Sequence, residues 1–222
     1  MPTTDAHTDA DTDTVVDRIR TEILTGRFAP GERLVELQLS EHFDEGRAAV
    51  RSALVELEKE GLVQRATNRG ATVRRVSLHE AIQITEARAV LEGLVARHAA
   101  RQATAADRTA LRRLYREMQA AVRAGEHLRY SDLNAALHRR LQSISDHTVA
   151  NELVRNLRDR AASHHYRLAL MPGRSRESLV QHAAIVDAVV AGDEDGAAEA
   201  MRIHLDSVIS VLLHWADLGV RV

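Results

Sequence analysis

Arg47-Ala48-Ala49-Val50-Arg51-Ser52-Ala53-Leu54-Val55-Glu56-Leu57-Glu58-Lys59-Glu60-Gly61 is the stretch whose periodicity decides the fold. Val50, Ala53, Leu54 and Leu57 fall at i, i+3, i+4 and i+7, which puts four apolar side chains on one stripe of an α-helix, and Gly61 supplies the stop. Arg47 and Arg51 lie four apart and share a different, exposed face. Upstream, Glu36 to Phe43 reads as a short helix. Asp44-Glu45-Gly46 then breaks the pattern, with Asp44 expected to cap the longer helix by accepting its backbone N–H groups.

Working outward, Val15, Val16, Ile19, Ile23 and Leu24 recur at helical spacing and stop at Gly26. The Phe28 to Leu34 connection carries a Pro30-Gly31 turn and is too short for an element of its own. Downstream, Leu62 to Arg65 and Ala71 to Val76 read as two strands joined by Thr67-Asn68-Arg69-Gly70, since Asn and Gly accept the positive φ of a tight hairpin. Residues 1–12 form a Thr- and Asp-rich tail predicted to be disordered, and 13–76 one compact unit.

Beyond Val76 the texture changes. Only Pro172 remains of the three prolines, and helical periodicity runs to the end. Helices are predicted over His79–Ala103, Ala105–Ala124, His127–Ile144, Val149–Leu170, Arg174–Ala191 and Glu194–Leu218, broken at Gly125, Ser145–Thr148, Met171-Pro172-Gly173 and Gly192-Asp193. With no sheet to cover them, these helices must bury their stripes against one another, so 77–222 is predicted to be an antiparallel helical bundle.

The 222 residues include no cysteine, which excludes a disulfide scaffold and leaves any metal site or nucleophile to His, Asp, Glu, Asn or Ser. No apolar run approaches the roughly 20 residues that cross a bilayer, so the expectation is a soluble, cytoplasmic chain with no membrane partner. Net charge is −2. The average conceals a basic segment: Gly46 to Val76 holds Arg47, Arg51, Lys59, Arg65, Arg69, Arg74 and Arg75 against Glu56, Glu58 and Glu60. A local positive surface on a neutral chain is what phosphate binding requires.

Two constellations carry chemistry. Arg47 and Arg51, on the first turns of their helix, can reach guanine O6 and N7 in a major groove, while Gly70 lets the hairpin tip approach the duplex closely. The alternative is that both arginines are solvated charges on an ordinary amphipathic helix. Among the 12 histidines, His138, His182 and His204 each occupy the middle of a separate predicted helix among apolar neighbours. Asn134, four residues before His138, shares its face. Three imidazoles and an oxygen suit zinc or another borderline ion such as nickel; buried histidines bonded to backbone are the alternative.

The runs Ile23 to Leu34, Leu39-Ser40-Glu41-His42-Phe43, Arg47 to Leu62 and Arg69-Gly70-Ala71-Thr72-Val73 resemble the winged helix-turn-helix of GntR-family transcription regulators. The resemblance implies DNA contacts from Arg33, Arg47, Arg51 and Gly70, with Ala48 and Arg69 beside them. Where the family usually has Ser before the first recognition arginine and Thr-Pro after it, this chain has Gly46, Ala48 and Ala49. Beyond Val76, Arg88-Ala89-Val90-Leu91-Glu92, Asn134 to His138, Ser178 to His182 and Gly192 to Leu205 resemble the FCD ligand-binding domain of the FadR subfamily. Its metal-binding members use an Asp and three histidines, which correspond to Asn134, His138, His182 and His204. The neutral amide of Asn134 is a weaker donor than the family's carboxylate.

The resemblance further implies a small carboxylate effector, with Arg88 a candidate to pair with it bidentately, unless Arg88 instead forms a structural pair with Glu92 at i+4. Tyr130, Tyr166, Arg167 and His164 are further candidates to line the cavity. The expected function is a homodimeric, ligand-responsive repressor on double-stranded operator DNA and not an enzyme. The competing reading is a metal-dependent hydrolase using the three histidines, against which no Glu or Asp adjacent to them can be named from sequence.

Overall fold

The computed structural model describes residues 14–65, 70–162, 168, 171 and 173–217, and the chain divides into two compact units, the first ending at Arg75 and the second beginning at Val76. The first unit begins with α1 (Val15–Leu24), whose Thr14 accepts from the Asp17 backbone N–H while the Asp17 carboxylate returns a bond to Thr14. β1 (Arg33–Leu34), α2 (Glu36–Phe43), α3 (Arg47–Lys59), β2 (Val63–Arg65) and β3 (Ala71–Val73) follow. Val50, Ala53, Leu54 and Leu57 all face inward from α3, against Ile19, Leu39 and Phe43. Arg20 grips Glu60 bidentately at 2.9 and 2.7 Å and ties α1 to the end of α3.

The three strands are antiparallel in the order β1-β3-β2, with Leu34 opposite Ala71 and Val63 opposite Val73. Three expectations are corrected here. The connection judged too short for an element contains β1, because an edge strand needs only two residues when β3 supplies the ladder. Asp44 does not cap α3: it closes α2 in the left-handed conformation at φ 52°, and Gly46 takes the N-cap position. Asp is one of the few side chains that tolerates that region, which is why it stands at the break. β3 ends at Val73, short of the predicted Val76.

The described elements of the second unit are all helices: α4 (Leu78–Gln102), α5 (Ala105–Ala124), α6 (His127–Ser145), α7 (Thr148–Arg160), α8 (Arg174–Ala191) and α9 (Glu194–Asp217). α4 is the central element, packed along α9 and against α6, α7 and α8. At the crossing with α9, Gly93 lets the Ala198 carbonyl come to 3.4 Å from where a Cβ would stand. The helix predicted over Val149–Leu170 is corrected: α7 stops at Arg160, where the Ala161 N–H turns back onto the carbonyls of Leu157 and Arg158. No Gly or Pro marks that stop, so periodicity alone overran it. One core joins Val95, Leu111, Met118, Leu137, Ile185 and Met201; a second joins Ile84, Ala161, Leu205 and Leu212.

Candidate functional site

In the first unit α3 turns its apolar stripe inward and leaves Arg47, Ala48 and Arg51 exposed. Arg51 is not simply solvated. Its Nε and Nη2 donate to Glu36 on α2, with Nη2 to Oε2 at 2.9 Å and Nε to the two carboxylate oxygens at 3.2 and 3.3 Å. The arginine lowers the Glu36 carboxyl and is itself raised by it. Arg33 is exposed on β1 opposite Thr72. Gly70 enters β3 at φ +79°, and a Cβ there would lie 2.7 Å from the Leu34 carbonyl oxygen, so only glycine fits. Arg69 lies outside the described residues. Of the acidic residues on and just after α3, Glu60 is held by Arg20 and Glu58 accepts from the Arg65 backbone N–H at 3.1 Å.

In the second unit three helices bring three imidazoles together. His138 on α6, His182 on α8 and His204 on α9 are buried, with ring centroids 5.6, 5.6 and 4.4 Å apart, and one ligand atom from each lies within 4.8 Å of the others. Their outer nitrogens are held. His138 Nδ1–H donates to Glu92 Oε2 at 2.7 Å, His204 Nδ1–H donates to Gln181 Oε1 at 3.0 Å, and His182 Nδ1 meets the Tyr130 hydroxyl at 3.1 Å. Fixing Nδ1–H in this way leaves the Nε2 lone pair for the interior, the arrangement that orients histidine on a metal.

Burial is the main reason all three imidazoles are pushed below the ordinary histidine range, His182 and His204 well below it; those two would also feel the charge of a neighbouring imidazole, whereas Glu92 partly offsets the shift at His138. Burial pushes the Glu92 carboxyl up, but the facing Arg88 and His138 overcome it and hold it well below the usual range. Burial raises the Tyr130 phenol to about 12. Neutral imidazoles are the form that ligates. Two buried atoms of the cluster, His182 Nε2 and Asn134 Oδ1, have no hydrogen-bond partner among the described residues. Orphaned acceptors in a buried cluster of this donor type fit a divalent ion.

A cavity of about 190 Å³ opens beside the histidines, lined by Asn134, His138, His204 and Tyr130 with three guanidinium groups, Arg88, Arg158 and Arg174. Arg174 donates to Ser207 Oγ at 2.6 Å, and Arg88 donates from Nε to Glu92 at 2.8 Å. The Arg158 guanidinium makes no hydrogen bond or ion pair among the described residues, and burial lowers its pKa. Tyr166, Arg167 and His164 lie outside the described residues.

Residues 11–73 match the family described as bacterial regulatory proteins, gntR family, and residues 83–207 match the FCD domain. The chain is a GntR-family transcription regulator with an FCD domain. Among similar proteins, the HTH-type transcriptional regulator LutR of Bacillus subtilis is 31% identical over 228 residues, covering 90% of this chain and all of its own. The HTH-type transcriptional repressor RspR of Escherichia coli is 27% identical over 190 residues, covering 86% of this chain and 83% of its own. The solved structure of E. coli McbR/YncC superposes with a TM-score of 0.77 at 22% identity, covering 91% of this chain and 96% of that one, which shows a shared fold.

For this GntR-family chain the structure supplies the adjoining carboxylate that could not be named from sequence. Glu92 lies 46 residues from His138 in sequence and touches it directly. It does not make the site hydrolytic: its oxygens already accept from His138 and Arg88, and a carboxyl held so low is a poor proton acceptor. Sequence reasoning also left Gln181 without a role, and treated Glu92 only as the neighbour of Arg88. Neither residue carries a local signal for its contact, because both partners sit on other helices. Among the described residues no helix is long and apolar enough to cross a membrane.

Proposed function

We propose that this GntR-family regulator is a homodimeric cytoplasmic repressor of the FadR subfamily, released from double-stranded operator DNA when a small carboxylate enters the second unit. The observation that carries the sensing half is the coincidence of two orphaned acceptors, Asn134 Oδ1 and His182 Nε2, with a cationic cavity. Asn134, His138, His182 and His204 would hold a divalent ion, zinc or nickel, whose contribution when bound is a positive charge that an anion can approach.

The chain's own residues do the rest. Tyr130, Glu92 and Gln181 fix the imidazoles, and apolar Leu205 and Val208 close the cavity wall. Arg88 faces the cavity with its Nε given to Glu92. Arg158, with its guanidinium unengaged among the described residues, is the better carboxylate reader of the two. The three guanidinium groups select for anions, and the effector acts only through its different affinity for the DNA-competent and released states.

For the operator, Arg33, Arg47, Arg51 and Arg69 supply cationic donors, and Ala48 and Gly70 allow close approach. A dimer follows from this reading, because one module makes too few contacts, whereas two related by a two-fold axis read a palindrome. The test of the sensing half is elemental analysis of the purified protein beside a His182→Ala variant, with thermal shift against small carboxylates. Metal lost in the variant, and a melting point raised by a carboxylate only in the loaded wild type, support the reading. Metal content unchanged by the substitution refutes the ligand set.

A further inference from the structure

We propose that Glu36 is a specificity-determining residue of the DNA-binding unit: it holds Arg51 so that the free edge of the guanidinium presents two parallel donors to a guanine. The inference rests on the reading of Arg51 as a base contact.

A guanidinium has five N–H donors, and in a bidentate contact the Nε–H and one Nη2–H form one edge, while Nη1–H and the second Nη2–H form another. Glu36 occupies the first edge, from Nε at 3.2 and 3.3 Å and Nη2 at 2.9 Å. The second edge is left with the donor pair that O6 and N7 of guanine accept.

Glu36 is suited to be the anchor of the pair. It is the first residue of α2, where the helix dipole favours an anion, and its side chain is 26% exposed against 62% for Arg51. Arg51, then Arg65 and Arg47, keep its carboxyl ionised. A carboxylate beside Arg51 also disfavours an alternative pose in which the arginine slides onto a phosphate, because that pose brings two anions together. Its expected effect is therefore on choice of base and not on total attraction to DNA.

An exposed ion pair of this kind adds little to stability, so Glu36→Gln should fold. The experiment selects the preferred site of the full-length wild-type protein from a random-sequence duplex library. Affinities are then measured for that site, for copies with each base pair exchanged, and for non-specific duplex, over a salt series. Arg51→Ala should flatten preference at one base pair per half-site. Glu36→Gln should reduce preference at that same pair by about tenfold. Its non-specific affinity should hold or rise, with an unchanged salt slope. Adding Glu36→Gln to Arg51→Ala should cost nothing further at that pair.

Two results overturn the proposal while leaving Arg51 as a contact: a loss spread evenly over every base pair, or full discrimination retained in Glu36→Gln, which together with tighter specific binding would make the pair a latch. If Arg51→Ala leaves every base preference unchanged, the reading of Arg51 fails and the role of Glu36 falls with it.

Discussion

Acidifying the metal-free protein should destabilise its helical unit. His138, His182 and His204 are buried and held below the ordinary imidazole range, the latter two well below, chiefly because burial disfavours the cation. The unfolded chain accepts protons that the native site refuses. Stability is therefore complete above the unfolded value of about pH 6.5 and falls as pH drops beneath it. Each histidine that stays neutral in the native state contributes a slope of up to about 1.4 kcal/mol per pH unit, so His182 and His204 together give up to about 2.7. For a chain of this size that lowers the melting temperature by about 5–11 °C per pH unit. Glu92 does not blur the window, because its carboxyl is held well below the usual range and takes up its proton only at lower pH. Differential scanning calorimetry of chelator-treated protein between about pH 7.5 and pH 5.5, beside a His182→Gln variant, reads the slope; the variant should lose about half of it. A melting temperature that is flat over this window, or a variant slope equal to that of the wild type, would show that the imidazoles are not buried neutral groups.

Three further outcomes follow from particular contacts. Glu92→Gln removes the anionic half of a buried ion pair at 2.7 Å and should cost about 3–5 kcal/mol in urea denaturation. A loss under 1 kcal/mol would contradict the interior geometry. Gly70→Ala places a Cβ against the Leu34 carbonyl at a positive φ; it should cost at least about 1–2 kcal/mol and weaken DNA binding in gel shift, whereas wild-type affinity would refute the close approach. Asn134→Asp supplies a charged oxygen where an unpartnered neutral one now sits. Titration calorimetry with zinc should then show tighter binding, and unchanged affinity would remove Asn134 from the ligand set.

What the sequence made legible was whatever repeats on one element. The stripe Val50, Ala53, Leu54 and Leu57 was readable because four side chains on a single helix obey its period, and His138, His182 and His204 stood out as polar residues at positions an apolar stripe should fill. What it hid lies between elements. The Glu92 contact to His138 and the Gln181 contact to His204 each cross from one helix to another, and no spacing encodes a crossing. Asp44 was misread because the same side chain serves as an N-cap or as a left-handed stop, and only the backbone decides. The end of α7 was missed for a related reason: the chain turns at Ala161 without Gly or Pro to announce it. Arg51 reads from sequence as a base contact or a solvated charge, and its grip on Glu36 comes from the packing of α2 against α3.

The most direct test of the account is a gel shift of the full-length protein on the DNA upstream of its own gene, over a salt series, with the Arg47→Ala/Arg51→Ala double variant alongside. The account predicts tight wild-type binding that weakens steeply as salt rises, and a double variant that keeps its fold but loses about 2–6 kcal/mol of preference for that DNA over non-specific duplex. A double variant that discriminates as well as the wild type would contradict it.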